Sequence, residues 1–279
     1  MDERWPTTYP DPERLRREIR LMVEAVAGAL REVFGDSQVR AIWFKGSAQK
    51  RWESPMDYVP SLSDVDIHVW LSDQAAPKFH QLESALQVQR YLEQRYADTT
   101  SDPIHVPRPQ INLVNDLLQR QDYLPSPAAI VETIFGLPQK PGDYSDQDRV
   151  RQQDRAALIE DAAESESIPK RAIDRPGAYM WDLLRGLSWR VSPIGSRLLS
   201  LSGADPEQAW SMNRTQIAAA LRERGFDQVT AHWEGFYESA WRYFLSSNLD
   251  GDAGRDALRA AHAVLGTAGT LAQDMAPRG

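Results

Sequence analysis

Lys45-Gly46-Ser47, at the end of an apolar segment, and Ser63-Asp64-Val65-Asp66-Ile67-His68-Val69, the next apolar segment, decide the fold of this chain. A strand that ends in Gly-Ser leads into a turn whose backbone N–H groups and hydroxyl group can face an anion. In the second segment Asp64 and Asp66 are two positions apart, so on a strand their carboxylates point to the same side. The apolar residues that alternate with them point to the other side. The pattern predicts one face that binds metal and one face that packs into a core.

Gly-Ser at a strand end, followed by Asp-x-Asp on the next strand, resembles the active site of the nucleotidyltransferase superfamily of the polymerase-β type. The resemblance covers roughly the first half of the chain and rests on Gly46, Ser47, Asp64 and Asp66. It implies that Gly46 and Ser47 bind the phosphates of an NTP such as ATP, with Lys45 beside them. It also implies that Asp64 and Asp66 are catalytic and hold two Mg²⁺ (or Mn²⁺) ions between them.

This sequence departs from the family pattern at the third acidic residue, which the family carries on a neighbouring strand. The next candidate strand has Gln110 and Asn112 on one side. An amide cannot act as a base, although its oxygen can ligate Mg²⁺. We expect Asn112 to occupy the third catalytic position. Asp116, at the strand end, is the alternative, and a degenerate, inactive site is another.

Hydrophobic periodicity predicts an α+β protein, with a small mixed sheet flanked by helices and then an all-α helical bundle. Asp11-Pro12 begins a helix that ends at Gly35. Three strands, two further helices and one long loop over the site are predicted next. They are strands at 39–44, 62–71 and 104–114, helices at 77–96 and 126–136, and the loop between Ser47 and Asp64.

The change of composition along the chain predicts three parts. Residues 1–136 form the catalytic domain, residues 137–176 a polar connector, and residues 177–279 a helical domain on the substrate side. The second half of the chain is rich in predicted helices, the longest of which spans Gly251 to Asp274.

The charge and the composition of the chain limit the kinds of molecule that we expect it to bind. The net charge is −8, and all of it comes from residues 1–174, which hold 21 basic and 29 acidic side chains against 11 of each in residues 175–279. A protein that grips a long polynucleotide usually has a basic stripe, so we rank long nucleic acid below small molecules as a partner. The chain has no cysteine, which excludes thiolate chemistry. No apolar run of membrane-spanning length and no signal peptide are evident, so we expect a cytoplasmic protein without a membrane partner.

These observations predict an enzyme, a metal-dependent nucleotidyltransferase that moves an NMP from an NTP to a hydroxyl group of a small molecule. An acidic cleft would suit a cationic acceptor such as an aminoglycoside. Two other interpretations stay open: a toxin-like or regulatory transferase that acts on protein or RNA, and a non-catalytic nucleotide-binding sensor. The acceptor, the particular NTP and the oligomeric state are open as well.

Overall fold

The computed structural model describes residues 5–60 and 62–275, which form two compact units. Of these residues, those up to Arg51 and Asp64–Gly142 form unit 1, while Trp52–Ser63 and those from Asp143 onward form unit 2. The protein is α+β, as predicted, with a four-stranded mixed sheet in unit 1 and helices in unit 2. Within the described ranges, no helix is both long enough and apolar enough to span a membrane.

Unit 1 is built around the sheet, whose strand order is β3-β2-β1-β4. β1 is antiparallel to β2 and β4, whereas β2 and β3 are parallel. Helix α1 packs against β1, β2 and β3, and α2 packs against α1. The elements in chain order are α1 (Pro12–Phe34), β1 (Val39–Lys45), β2 (Val65–Leu71), α2 (Leu82–Thr99), β3 (Pro109–Leu113), α3 (Val114–Leu117) and β4 (Glu132–Gly136).

The sequence signals for α1 and for the core face of β2 are confirmed. The Asp11 carboxylate accepts a hydrogen bond from the Glu13 N–H at the start of α1, and Gly35 ends the helix. Val65, Ile67 and Val69 have no exposed surface. Burial of these alternate residues fixes which face of β2 carries the aspartates, because neighbouring side chains on a strand point to opposite faces.

The helix predicted at 126–136 is wrong, because its second half is the edge strand β4. Thr133, Ile134 and Phe135 are β-branched or aromatic residues that favour strands. Thr133 and Phe135 pair with Trp43 and Ile42 of β1, and the register shifts between these two pairs. Gly136 ends the strand with φ +73°, and a Cβ atom there would lie 2.1 Å from the carbonyl oxygen of Arg40. The other predicted elements of unit 1 exist with shifted ends, and β2 and β3 are shorter than the predicted strands.

Unit 2 contains a buried aromatic core and takes up most of the segment predicted to be a polar connector. Helix α4 packs against α11, and the contact is close enough that a Cβ atom on Gly269 would lie 2.3 Å from Ala162 Cβ. Unit 2 takes up the described chain from Asp143 onward. The helices are α4 (Gln147–Ser165), α5 (Ile168–Ala172), α6 (Met180–Val191), α7 (Ile194–Leu201), α8 (Pro206–Ser211), α9 (Arg214–Glu223), α10 (Asp227–Leu245) and α11 (Gly251–Asp274).

The segment Trp52–Ser63, which we expected to form an extended loop over the site, is instead bound within unit 2. Its central residue Asp57 is buried, and the carboxylate accepts hydrogen bonds from the N–H groups of Glu53 and Ser54. It also accepts from the N–H and the hydroxyl of Thr215, at 2.8 Å each. Arg214 donates to the carbonyl oxygens of Met56 and Asp57. Asp57 thus ties this segment to the start of α9.

We predict that Asp57→Ala lowers the free energy of unfolding by about 3 kcal/mol or more, because it leaves several buried donors without their charged acceptor. Asp256→Ala is the matched control, since Asp256 pairs with Arg242 at the surface of the same unit. Denaturant unfolding followed by circular dichroism tests both variants. An Asp57→Ala midpoint as close to wild type as that of the control would contradict the role of Asp57.

Candidate functional site

Strand pairing brings polar side chains together on the face of the sheet opposite the buried valines. Lys45 of β1, Asp66 of β2 and Gln110 of β3 are register partners and form a row across the sheet. Val65 and Pro109 are also partners, which places Asp64 beside Arg108 just ahead of the two parallel strands. The Val65 N–H donates to the Arg108 carbonyl oxygen at 3.0 Å. Two acidic side chains, Asp64 and Asp66, and two basic side chains, Lys45 and Arg108, therefore lie close together on this face of the sheet.

The two aspartates share neighbours. Asp64 forms an ion pair with Arg108, and the exposed fractions of the two side chains are 5% and 24%. One atom of the Gln110 amide lies 3.0 Å from Asp66 Oδ1 and 3.2 Å from Asp64 Oδ2. When that atom is the amide nitrogen, Gln110 donates a hydrogen bond to each carboxylate. Gln110 thus bridges the two residues that the sequence singled out.

The predicted turn at Gly46 and Ser47 is present, and the N–H groups of Gln49 and Lys50 close it by donating to the Gly46 carbonyl oxygen at 3.2 Å each. Gly46 has φ +83°, and a Cβ atom there would lie only 1.9 Å from Asp66 Oδ2. The glycine therefore makes room for the Asp66 carboxylate, a role that the sequence did not indicate. Ser47 is half-buried within this turn.

Lys45 and His68 lie on the same face as the aspartates and are shielded from water. The Lys45 ammonium donates to Ser126 Oγ at 3.1 Å. Burial lowers the pKa of Lys45, while the nearby Asp66 charge opposes that shift. Burial, and then the charge of Lys45, lowers the pKa of His68 to about 3. His68 is therefore neutral at physiological pH.

Asn112 does not lie in the row that we expected. It is the register partner of His68, and Gln110 is the register partner of Asp66. Gln110 thus occupies the position beside the aspartates that we assigned to Asn112. The alternative, Asp116, lies in α3 and pairs with His80, with its carboxylate 3.3 Å from His80 Nε2.

A cavity of about 300 Å³ opens beside the turn, between it and α1. Three arginines of α1 line it: Arg16, Arg17 and Arg20. Arg16 donates to the Lys50 carbonyl oxygen, and Arg20 forms two hydrogen bonds with Glu132. Glu13, Ala48 and Gln49 also line the cavity. These arginines lie on the polar side of α1, whereas only the apolar side of the helix was used to predict it from the sequence.

Asp64, Asp66 and Gln110 are the residues of this face that could hold a cation through oxygen atoms. An octahedral Mg²⁺ holds its ligands at about 2.1 Å, so that neighbouring ligand oxygens are about 3 Å apart. The contacts of 3.0 and 3.2 Å from Gln110 to the two carboxylates match this spacing once the amide oxygen faces them. In residues 5–60 and 62–275, no group of three or more His, Cys, Asp or Glu side chains could hold a metal ion. A metal here would depend on the amide, water and substrate oxygens.

The fold and the site define an α+β protein with paired carboxylates beside a Gly-Ser turn. Comparisons of the chain with protein-family models, with curated proteins and with solved structures find no match. The function is therefore argued from the residues of this face.

We predict that Gly46→Ala destabilises the protein more than Gly225→Ala does. Both glycines have similar φ, +83° and +77°, so both substitutions carry a backbone cost of about 1–2 kcal/mol for a side chain at positive φ. Of the two, only Gly46 meets a carboxylate, because nothing lies within 4 Å of a Cβ atom at Gly225. Denaturant unfolding compares the two variants, and equal losses of stability would contradict close packing of Asp66 on Gly46.

We predict that His68 makes the protein less stable in acid. Between pH 3 and 6.5 the unfolded chain binds a proton at this residue and the folded chain does not, so stability rises with pH in that window. Between pH 7 and pH 4.5 the loss amounts to about 2–3 kcal/mol. His68→Asn should remove that part of the pH dependence in unfolding experiments. Parallel profiles for the variant and the wild type would show that His68 is not the titrating group.

Proposed function

We propose that the protein is a metal-dependent nucleotidyltransferase that moves an NMP from an NTP to a hydroxyl group of a small molecule. One observation carries the proposal: the carboxylates of Asp64 and Asp66 lie together, and Asp66 packs against Gly46 of the Gly-Ser turn. This is the arrangement that the resemblance to the polymerase-β type implies, with a phosphate-binding turn next to paired metal ligands.

The turn and α1 supply groups for binding the triphosphate. The Ser47 hydroxyl and the backbone N–H groups of the turn can donate to phosphate oxygens. Arg16, Arg17 and Arg20 line the neighbouring cavity and provide positive charge for the terminal phosphates. Lys45, beside the turn, donates to Ser126 and lies near Asp66. Its role is to balance the charge of the carboxylates.

Asp64, Asp66 and Gln110 would hold one Mg²⁺ or Mn²⁺ ion, which supplies phosphate charge neutralisation and lowers the pKa of the acceptor hydroxyl. The chain adds little base catalysis of its own. Gln110 and Asn112 accept no proton as amides, and burial opposes protonation of His68. The acceptor proton must pass to Asp64, to Asp66 or to water, so the transfer rate should depend on the pKa of the acceptor.

A small acceptor is favoured over a long nucleic acid by the charge of −8 and by the absence of a basic stripe in the sequence. An NTP-dependent reaction suits the cytoplasm, the compartment that we expect for this protein, because NTP is abundant there. A second function, a non-catalytic nucleotide sensor, is favoured by one observation: Arg108 pairs with Asp64, and a glutamine replaces the third acid. A sensor would bind NTP without forming product.

We predict that Asp64→Asn and Asp66→Asn each lower nucleotide transfer by about three orders of magnitude, since metal ions contribute several kcal/mol to such reactions. The test is product analysis with α-labelled ATP, Mg²⁺ and a panel of hydroxylated acceptors that includes aminoglycosides. Asp73→Asn is the matched control, because Asp73 is 87% exposed and pairs with Arg40 at the surface.

Two results would contradict the proposal. If Asp64→Asn or Asp66→Asn transferred nucleotide at nearly the wild-type rate, that residue would not be a metal ligand. Tight NTP binding by the wild type with no labelled product, across the panel and with each of the four NTPs, would favour the sensor.

A further inference from the structure

We infer that Arg108 acts as an internal cation that neutralises Asp64 in the metal-free protein and competes with the metal ion for that carboxylate. This inference rests on the proposed function, because the metal concerned is the one that nucleotide transfer requires. It concerns how this chain controls metal binding, which the resemblance does not address.

The register of β2 and β3 and the burial of Asp64 indicate that Arg108 neutralises Asp64. The parallel pairing of β2 and β3 forces Arg108 and Asp64 to be neighbours, since each lies one position ahead of a paired residue. The Asp64 side chain is only 5% exposed, so water solvates its charge poorly. A buried carboxylate needs a partner charge to stay ionised at little cost. Arg108 provides that charge within the same unit.

The charges beside the two carboxylates indicate how a metal ion alone would bind. The Arg108 guanidinium lies against the Asp64 carboxylate, and Lys45 is the register partner of Asp66. A divalent cation that binds Asp64 would therefore meet the positive charge of Arg108 beside it, so it should bind weakly on its own.

The chemistry of arginine indicates how a bound nucleotide would release Asp64 from Arg108. Guanidinium groups pair with phosphate as readily as with carboxylate, and they do so through two parallel hydrogen bonds. A metal–NTP complex would therefore bring both a ligand for Asp64 and a new partner for Arg108. Metal alone offers no such exchange. Strong metal binding should then require nucleotide, and Arg108 is the residue that sets this requirement.

The test measures Mn²⁺ binding by electron paramagnetic resonance, with and without a non-hydrolysable ATP analogue. Without nucleotide, Arg108→Gln should bind Mn²⁺ about tenfold more tightly than wild type, since it removes one positive charge beside the ion. Arg108→Lys keeps the charge and should stay near the wild-type value. Arg120→Gln is the charge-matched control, because Arg120 pairs with Asp122 at the surface and should also behave as wild type.

A second measurement on the wild type covers the case in which Arg108→Gln does not fold. The Arg108 Nε–H signal in nitrogen NMR, assigned by its loss in Arg108→Lys, should shift as Mg²⁺ saturates the protein. Equal or weaker Mn²⁺ binding by folded Arg108→Gln would overturn the inference. So would a wild-type Nε–H signal that stays fixed at saturating Mg²⁺, or the absence of Mn²⁺ binding in every variant.

The same experiments can contradict the proposed function without contradicting the competition between Arg108 and the metal ion. If Arg108→Gln binds Mn²⁺ more tightly but the wild type makes no labelled product with any acceptor, the competition stands and the transferase does not.

Discussion

The parallel pairing of β2 with β3, in the register that joins Val65 to Pro109, is the constraint on which the candidate site depends. This register brings Asp64 to Arg108 and Asp66 to Gln110. A slip of one residue would turn the aspartates to the opposite face, and a slip of two would give Asp66 a different partner. The register is held by the Val65 N–H bond to the Arg108 carbonyl and by burial of alternate β2 residues under α1. The charges of the site are thus set by the hydrophobic packing of one strand.

Local periodicity was sufficient to predict the α+β class, α1, the turn at Gly46 and the shared face of Asp64 and Asp66. It was not sufficient to choose between Gln110 and Asn112, because residues two apart on a strand share a face whatever the register. The neighbour of Asp66 is decided by pairing between strands some forty residues apart in the chain, which a single sequence does not encode locally. For the same reason β4 was predicted to be part of a helix, because this segment forms a strand by pairing with β1. Arg108 was missed for the same reason: it lies within the strand predicted at 104–114, but only the pairing of β2 with β3 places it beside Asp64.

The segment Trp52–Ser63 illustrates how long-range contacts override a composition signal. The length of the interval between Ser47 and Asp64, together with Pro55 and Pro60, led us to expect an extended loop over the site. Instead, the Asp57 carboxylate is buried and binds the Thr215 backbone, 158 positions further along the chain. Arg214 packs over the Tyr237 ring, 4.2 Å from its centroid, while it donates to the segment. Polar residues in this segment therefore stabilise unit 2, and they supply no evidence about the substrate.

On the proposed function, Gln110 lies where the resemblance to the polymerase-β type would place a third acid, and the charges of this site offer an electrostatic reason for an amide there. Three carboxylates at one edge of a sheet suit two divalent ions, which together outweigh their charge. Here the two carboxylates already face the Arg108 and Lys45 side chains, so a third would add a negative charge to the metal-free cluster, and a second metal ion would add positive charge beside Arg108. An amide bridges both carboxylates without adding charge and can turn its oxygen to a cation. On the proposed function, the site is therefore matched to one metal ion that arrives with its nucleotide, and the fixed arginine takes the place of the second ion.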